Sequence, residues 1–130
     1  MRIVGIIDQT SGLFNVAGFE LEEVRALLLA RQGNVLTADN LLFFEEMNEK
    51  VWSMGADILV PAASSCLMAR SQVEQLLAGG LKIISCGANV PFAGPEIFFD
   101  PTGVSANERT AGIPDFIANC GMARVFAYLI

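Results

Sequence analysis

Polar or turn-forming residues follow several apolar runs that resemble buried strands, and they carry the candidate chemistry. Asp8 closes the run RIVGII, PAASS follows Val60, GAN follows Cys86, and IPDFIAN begins the last predicted helix. In open α/β sheets, ligands bind outside the carboxyl ends of the strands. The amide of Asn89, beside the small residue Gly87, is therefore placed either to contact a ligand or to cap a turn.

Asp8 also allows two interpretations. An acid at a strand end is where a dinucleotide-binding fold contacts an adenosine ribose, about 20 residues after a glycine-rich turn. The sequence contains no G-x-G-x-x-G, and counting back from Asp8 would place that motif before Met1. Because such acids also begin Asx-turns, the residue alone does not decide between the two roles.

The composition argues against several classes of function. Eight Lys and Arg against 14 Asp and Glu give a net charge of −6, whereas nucleic-acid surfaces rely on clustered cations. Histidine is absent, and Cys66, Cys86 and Cys120 are widely spaced, so we expect reduced, buried thiols, no metal site and no histidine-based catalysis. Apolar runs are too short for a membrane span of about 20 residues or for a secretory signal. We expect neither a nucleic-acid nor a membrane partner, and a cytoplasmic location.

Strands and helices are predicted to alternate around these residues. RIVGII, DILV and LKIISC are predicted strands, and the first lacks the polar alternation of a half-exposed strand. Helices are predicted over 19–33, from Thr37 or Asp39 to near Gly55, over 68–80, and from about Pro114 to the C-terminus. We expect a loop over 8–18 and irregular structure over 95–112, with a helical turn at PEIFF. The alternation predicts an α/β fold with a mainly parallel sheet, and residues 1–130 as one domain.

Four stretches, in one order, resemble the glutamate/leucine/phenylalanine/valine dehydrogenase family, most closely its glutamate branch. VGIIDQTSGLFNVAGFELEEV is similar to the family's second strand with its acid, glycine loop and helix, and ADILVPAA to its fourth strand with a Pro-Ala-Ala turn. CGANVPFAGPE is similar to its Gly-Ala-Asn turn, and IPDFIANCGMARVFAYL to the start of its last helix. The resemblance covers nearly the whole chain. It implies a truncated C-terminal NAD(P)-binding domain, an incomplete Rossmann-like three-layer fold of about four strands without the first strand and the glycine-rich turn.

The resemblance implies roles for the cofactor-side residues. Asp8 would contact the adenosine ribose, the backbone of Ala62 and Ala63 would line the dinucleotide, and Asn89 would hold the nicotinamide end. Family enzymes deaminate an amino acid oxidatively to a 2-oxo acid and pass the hydride to NAD or NADP. We expect NAD, with NADP less favoured, because no Lys or Arg lies between Asp8 and Arg25 to neutralise a 2′-phosphate.

The resemblance places the substrate-side residues in the last helix. Asn119 would lie near the junction of nicotinamide and substrate, with Ala123 and Phe126 beyond it. The glutamate branch usually has a valine where Ala123 stands and a serine, which binds the substrate carboxylate, where Phe126 stands. Phenylalanine cannot make that hydrogen bond, so we expect a full-length parent to prefer an apolar or small amino acid to glutamate.

The missing parts limit what the isolated chain is expected to do. No lysine matches the family's catalytic lysine, so we assign no catalytic residue and expect an inactive chain whose substrate would need the absent N-terminal domain. Without the glycine-rich turn, dinucleotide binding should be weak or undetectable. A stand-alone nucleotide-binding module and an assembly surface remain the alternative functions.

The absent first strand would also leave two strands with unpaired backbone groups. We expect the chain to close this gap by pairing RIVGII with DILV, or else to fill it with a strand from another copy. We also expect it to form a homo-oligomer through its remaining apolar surface.

Overall fold

The structure is a computed structural model that describes residues 1–94, 96, 100–118 and 120. The chain divides into two compact units, Met1–Val51 and Trp52–Ile130. The single-domain organisation therefore stays a prediction, and each unit is described by itself. The helical turn predicted at PEIFF lies outside the described residues, apart from Glu96.

The first unit contains an antiparallel sheet of three strands in the order β1-β2-β3. Its elements in chain order are β1 (Ile3–Ile7), β2 (Ser11–Phe19), α1 (Leu21–Ala30), β3 (Leu42–Phe43) and α2 (Phe44–Ser53), the last of which passes the unit boundary. The β1–β2 pair is a hairpin in which Ile7 pairs with Gly12 and Ile6 with Leu13.

The predicted loop over 8–18 is wrong, because most of that segment forms β2. Glycine, serine and asparagine favour loops, but Leu13, Phe14 and Val16 suit a strand when a partner is available. The partner is β1, joined to β2 by a short turn in which the Asp8 N–H donates to the Ser11 carbonyl at 2.9 Å.

The second helix begins at Phe44 and not at Thr37 or Asp39. Leu42 and Phe43 are held in the extended form because they pair with Gly12 and Ser11 of β2. Tertiary pairing thus overrides a plausible N-cap.

The second unit contains a parallel sheet of three strands in the order β4-β5-β6. Its elements in chain order are β4 (Ile58–Leu59), α3 (Arg70–Ala78), β5 (Ile83–Ser85), α4 (Pro101–Arg109), β6 (Ala111–Ile113) and α5 (Asp115–Ala118). A helix lies between each pair of successive strands, which is the usual connection between parallel neighbours. The α/β class and the parallel sheet are confirmed, but the sheet of about four strands is replaced by a parallel sheet of three and a separate antiparallel one.

Helix α4 and strand β6 fall in the segment that was expected to be irregular. The Asp100 carboxylate caps α4 by accepting a hydrogen bond from the Gly103 N–H at 3.1 Å, and Pro101 occupies the first helical turn. An Asp-Pro start is a recognisable helix signal. Strand β6 is held by its pairing with β5, where Ile83 faces Ala111.

The expected pairing of RIVGII with DILV is wrong for the described residues, since β1 pairs with β2 and β4 pairs with β5. A hairpin partner close in sequence costs less loop-closure entropy than a partner some 50 residues away.

The most deeply buried apolar residues of the second unit come from α3, α4 and β5 and from the segment just before α3. They are Met68, Val73, Leu76, Ile84 and Ala106. No helix in the described part of the chain has the length and the apolar composition that crossing a membrane would need.

Candidate functional site

The carboxyl ends of β4, β5 and β6 lie side by side at one edge of the parallel sheet. Pro61 and Ala62 follow β4, the segment 86–90 follows β5, and Pro114 and Asp115 follow β6. This is the edge at which open α/β sheets bind ligands. The structure therefore brings three of the four polar or turn-forming stretches of the sequence to one place.

The turns after β4 and β5 touch each other at Gly87. A Cβ atom on Gly87 would lie 3.0 Å from the Cβ of Ala62 and 3.5 Å from the Pro61 carbonyl oxygen. The Ala88 N–H donates to that same carbonyl at 2.8 Å. A side chain at position 87 would therefore press against the Ala62 methyl, which would have to move by a few tenths of an ångström to admit it.

The predicted cofactor residues of the second unit are therefore neighbours. Ala62 and Ala63 are exposed, directly after β4, and Asn89 is exposed in the turn that packs against Ala62. Two small side chains and one amide are thus exposed on two turns that touch, and we call Ala62, Ala63 and Asn89 the exposed strip. We call Gly87–Val90 the Asn89 turn.

Two non-glycine residues beside this strip adopt left-handed backbone conformations. Cys66 has φ +54° and Val90 has φ +45°, and the Cys66 N–H donates to the Val90 carbonyl at 2.7 Å. The left-handed region costs an L-residue roughly 1–2 kcal/mol, and it is uncommon above all for a β-branched residue such as Val90. Such strain persists only where surrounding contacts impose it.

Asp115 supplies one of those contacts. Its Oδ2 accepts a hydrogen bond from the Val90 N–H at 2.9 Å, and its Oδ1 accepts one from the Phe116 N–H at 2.8 Å. No role was expected for Asp115 beyond the Pro-Asp motif. Most of β6, the strand that ends two residues before it, lies in the segment that was expected to be irregular, so Asp115 was not recognised as an acid close to a strand end.

Cys86, just before this turn, is buried, whereas Cys66 and Cys120 are exposed. Burial raises the pKa of the Cys86 thiol, and the negative charge of Asp115 raises it further. The expectation of buried thiols is therefore right for Cys86 and wrong for the other two. All three cysteines are free, and no cluster of metal-binding side chains occurs among the residues that the structure describes.

Asp8 lies in the first unit, in the β1–β2 turn, where its carboxylate binds backbone groups of its own chain. Oδ1 accepts hydrogen bonds from the N–H groups of Thr10 at 2.6 Å and Ser11 at 2.7 Å. Oδ2 accepts one from the N–H of Leu36 at 2.6 Å, 28 residues away. Burial opposes ionisation, but the N–H donors of Leu36, Thr10 and Ser11 outweigh it, so the pKa of Asp8 is lowered.

This arrangement matches the Asx-turn interpretation of Asp8, extended by the long-range bond to Leu36. Its contact with a ribose stays a prediction. The three substrate-side predictions, Asn119, Ala123 and Phe126, lie outside the described residues.

A comparison with family models shows which class of protein the chain belongs to. The family model for glutamate/leucine/phenylalanine/valine dehydrogenase matches residues 1–125. The chain belongs to this family. No curated protein sequence matches it.

Solved glutamate dehydrogenases share the fold of this dehydrogenase-family chain. A point mutant of glutamate dehydrogenase superposes with a TM-score of 0.73 at 17% identity, over 98% of this chain and 28% of that one. Another glutamate dehydrogenase gives a TM-score of 0.72 at 18% identity, over 98% of this chain and 30% of that one. Plasmodium falciparum glutamate dehydrogenase 2 gives 0.67 at 18% identity, over 91% of this chain and 26% of that one.

At these identities the solved structures establish the fold and nothing more. The family member described here spans less than a third of the length of each of these three structures.

Proposed function

We propose that the chain is the NAD-contacting part of an amino acid dehydrogenase, in which the carboxyl edge of the parallel sheet holds the nicotinamide half of the dinucleotide. The parent enzyme would deaminate an amino acid oxidatively to a 2-oxo acid, and bound NAD would supply the hydride acceptor. Family membership supports the reaction class.

One observation carries the proposal, namely the contact between the turns after β4 and β5. The close approach of Gly87 to Ala62 leaves a strip without bulky side chains, against which a flat ring can lie on the backbone. Asn89, exposed at its end, carries both a donor and an acceptor, which complement the two groups of a carboxamide. The residues present therefore fit a nicotinamide.

Asp8 is proposed to contact the adenosine ribose through Oδ2. That oxygen accepts one short bond, from Leu36, whereas Oδ1 accepts two from backbone N–H groups. The absence of Lys and Arg between Asp8 and Arg25 supports NAD over NADP, because a 2′-phosphate needs a cation.

The roles of the substrate-side residues are proposed from the sequence alone. Asn119, Ala123 and Phe126 are proposed to face the amino acid, and Phe126 favours an apolar or small substrate over glutamate in a full-length parent. In the parent, a further domain and a homo-oligomeric assembly are proposed to complete the active site, so the isolated chain is expected to be inactive.

The test is a titration of the isotope-labelled chain with NAD, followed by amide NMR. We expect a dissociation constant of about 1 mM or weaker, which is a binding free energy no more favourable than about −4 kcal/mol. The reason is that the sequence lacks the glycine-rich turn that anchors the pyrophosphate. Shifts should concentrate on Ala62, Gly87 and Asn89, and NADP should shift them less.

Two variants make the titration specific. Asn89→Ala should abolish the shifts at Ala62 and Gly87, whereas Asn40→Ala, an exposed asparagine of the first unit, should leave them unchanged. The proposal fails if NAD shifts no amide at this edge of the sheet, or shifts Asn89→Ala equally. Reduced cofactor from the purified chain with NAD and an amino acid would refute the expected inactivity.

A further inference from the structure

Asn89 stands in a turn whose conformation is imposed from outside. The Ala88 N–H donates to the Pro61 carbonyl at 2.8 Å, and the Val90 carbonyl accepts a hydrogen bond from the Cys66 N–H at 2.7 Å. Val90 itself, at φ +45°, is in a conformation that a β-branched residue avoids. The turn would relax if its contacts were removed, and relaxation at Val90 would rotate the peptide that links it to Asn89.

Asp115 provides the third contact, also from far away in the sequence. Its Oδ2 binds the Val90 N–H at 2.9 Å, although the two residues are 25 positions apart. A hydrogen bond to a carboxylate is comparable in free energy with the strain of one left-handed residue. The bond is therefore strong enough to decide which conformation Val90 adopts.

The sheet fixes Asp115 relative to the turn. Ser85 of β5 pairs with Ile113 of β6, and the Cys86 N–H donates to the Ile113 carbonyl at 2.9 Å. Asp115 follows Ile113 by two residues and begins α5, so its carboxylate lies close to the end of a strand in fixed register. A group placed on or beside regular elements is positioned more accurately than one on a loop.

We propose that Asp115 is a positioning residue, which holds the Asn89 turn in the conformation that receives the nicotinamide carboxamide without itself contacting the cofactor. This inference deepens the proposed function and rests on it.

The first part of the test needs no cofactor. In the wild-type chain the amide proton of Val90 should be protected from exchange with solvent, because it is bonded to Asp115. In Asp115→Ala this protection should disappear, while the amides of the buried residues Val73 and Ile84 keep theirs. Asp115→Asn retains an acceptor oxygen and should keep the protection of Val90.

The second part adds NAD. In Asp115→Ala the affinity for NAD, measured from the shifts at Asn89, should fall by at least about tenfold. This is the change expected for the loss of one hydrogen bond to a carboxylate. Asp115→Asn should restore most of the binding. The control is Asp57→Ala, which removes an exposed carboxylate paired with Lys82 at the opposite end of the same sheet and should leave binding unchanged.

The outcomes separate the two proposals. If Asp115→Ala binds NAD as the wild type does, the positioning role is refuted and the proposed function stands. If the wild type shows no NAD shifts, the proposed function is refuted, and an unprotected Val90 amide in the wild type would refute the positioning role independently. A loss of protection at Val73 and Ile84 in Asp115→Ala, not restored in Asp115→Asn, would show a general structural role and overturn the proposal.

Discussion

Removing the Asp8 carboxylate should destabilise the first unit at neutral pH. Asp8→Ala leaves the Thr10, Ser11 and Leu36 N–H groups without their acceptor. Thr10 is exposed and can turn to water, but Ser11 is 2% exposed and Leu36 is 7% exposed. An unsatisfied buried donor costs about 1–3 kcal/mol, so we expect a loss of about 2–4 kcal/mol in the free energy of unfolding.

The conservative variant should be intermediate. Asp8→Asn keeps one oxygen for the Thr10 and Ser11 N–H groups but turns an NH₂ group toward the Leu36 N–H. A loss of about 1–2 kcal/mol follows from one unsatisfied buried donor. Asp39→Asn, an exposed acid in the loop before β3, is the matched control and should change the stability little.

The pH dependence gives a second measure of the same bonds. Because the pKa of Asp8 in the folded chain is lowered from its ordinary value of 3.8, its stabilising contribution is complete above about pH 4 and is lost as the pH falls through the lower folded value. The stability difference between wild type and Asp8→Ala should therefore be largest at neutral pH and shrink below pH 4.

Urea unfolding monitored by circular dichroism at several pH values measures these differences, and amide exchange at Leu36 assigns them to the first unit. The reasoning is refuted if Asp8→Ala is as stable as the wild type at neutral pH, or if the difference does not change below pH 4. Either result would mean that the carboxylate does not stabilise the β1–β2 turn.

Three further predictions concern the second unit. Cys66→Gly should be more stable toward urea than Cys66→Ala by about 1 kcal/mol, since only glycine adopts φ +54° without strain, and equal stabilities would contradict the left-handed conformation. Gly94→Ala should cost at least about 1 kcal/mol because its Cβ would overlap the Asp100 carboxylate that caps α4. Combined with Asp100→Ala in a double-mutant cycle, it should add little, and full additivity of the two unfolding free energies would contradict this shared mechanism. Cys86 should react with a thiol reagent more slowly than the two exposed cysteines, with a rate that rises at higher pH because burial raises its pKa, and uniform labelling rates would contradict its burial.

The parallel sheet was the predictable part of the fold. DILV and LKIISC are short apolar runs that end at proline or glycine, and both contain observed strands. The Gly-Ala-Asn turn followed from the same pattern. A short apolar run bounded by turn residues is enough to predict a strand when the strand lies between helices that are close to it in the sequence.

The remainder depends on partners far away in the sequence. Nothing near Asp8 indicates that its carboxylate reaches Leu36, and nothing near Val90 indicates a left-handed backbone, which depends on Asp115 and Cys66. The hairpin strand β2 was missed because its glycines and asparagine favour loops until β1 pairs with it. Amino-acid composition indicates only local conformational preference, whereas the Asp8–Leu36 bond, the backbone of Val90 and strand β2 depend on tertiary contacts.

The two sheets also differ in how quickly their strands can find each other. Ile7 and Gly12 pair across a short turn, whereas Ile58 pairs with Ile83 and Ile83 with Ala111, each across an intervening helix. A hairpin forms in about 1–10 μs, while non-local parallel pairing is far slower. During folding, the β1–β2 hairpin should therefore form first, leaving the apolar strands β4 and β5 transiently unpaired. Unpaired apolar strands are prone to aggregate during that interval.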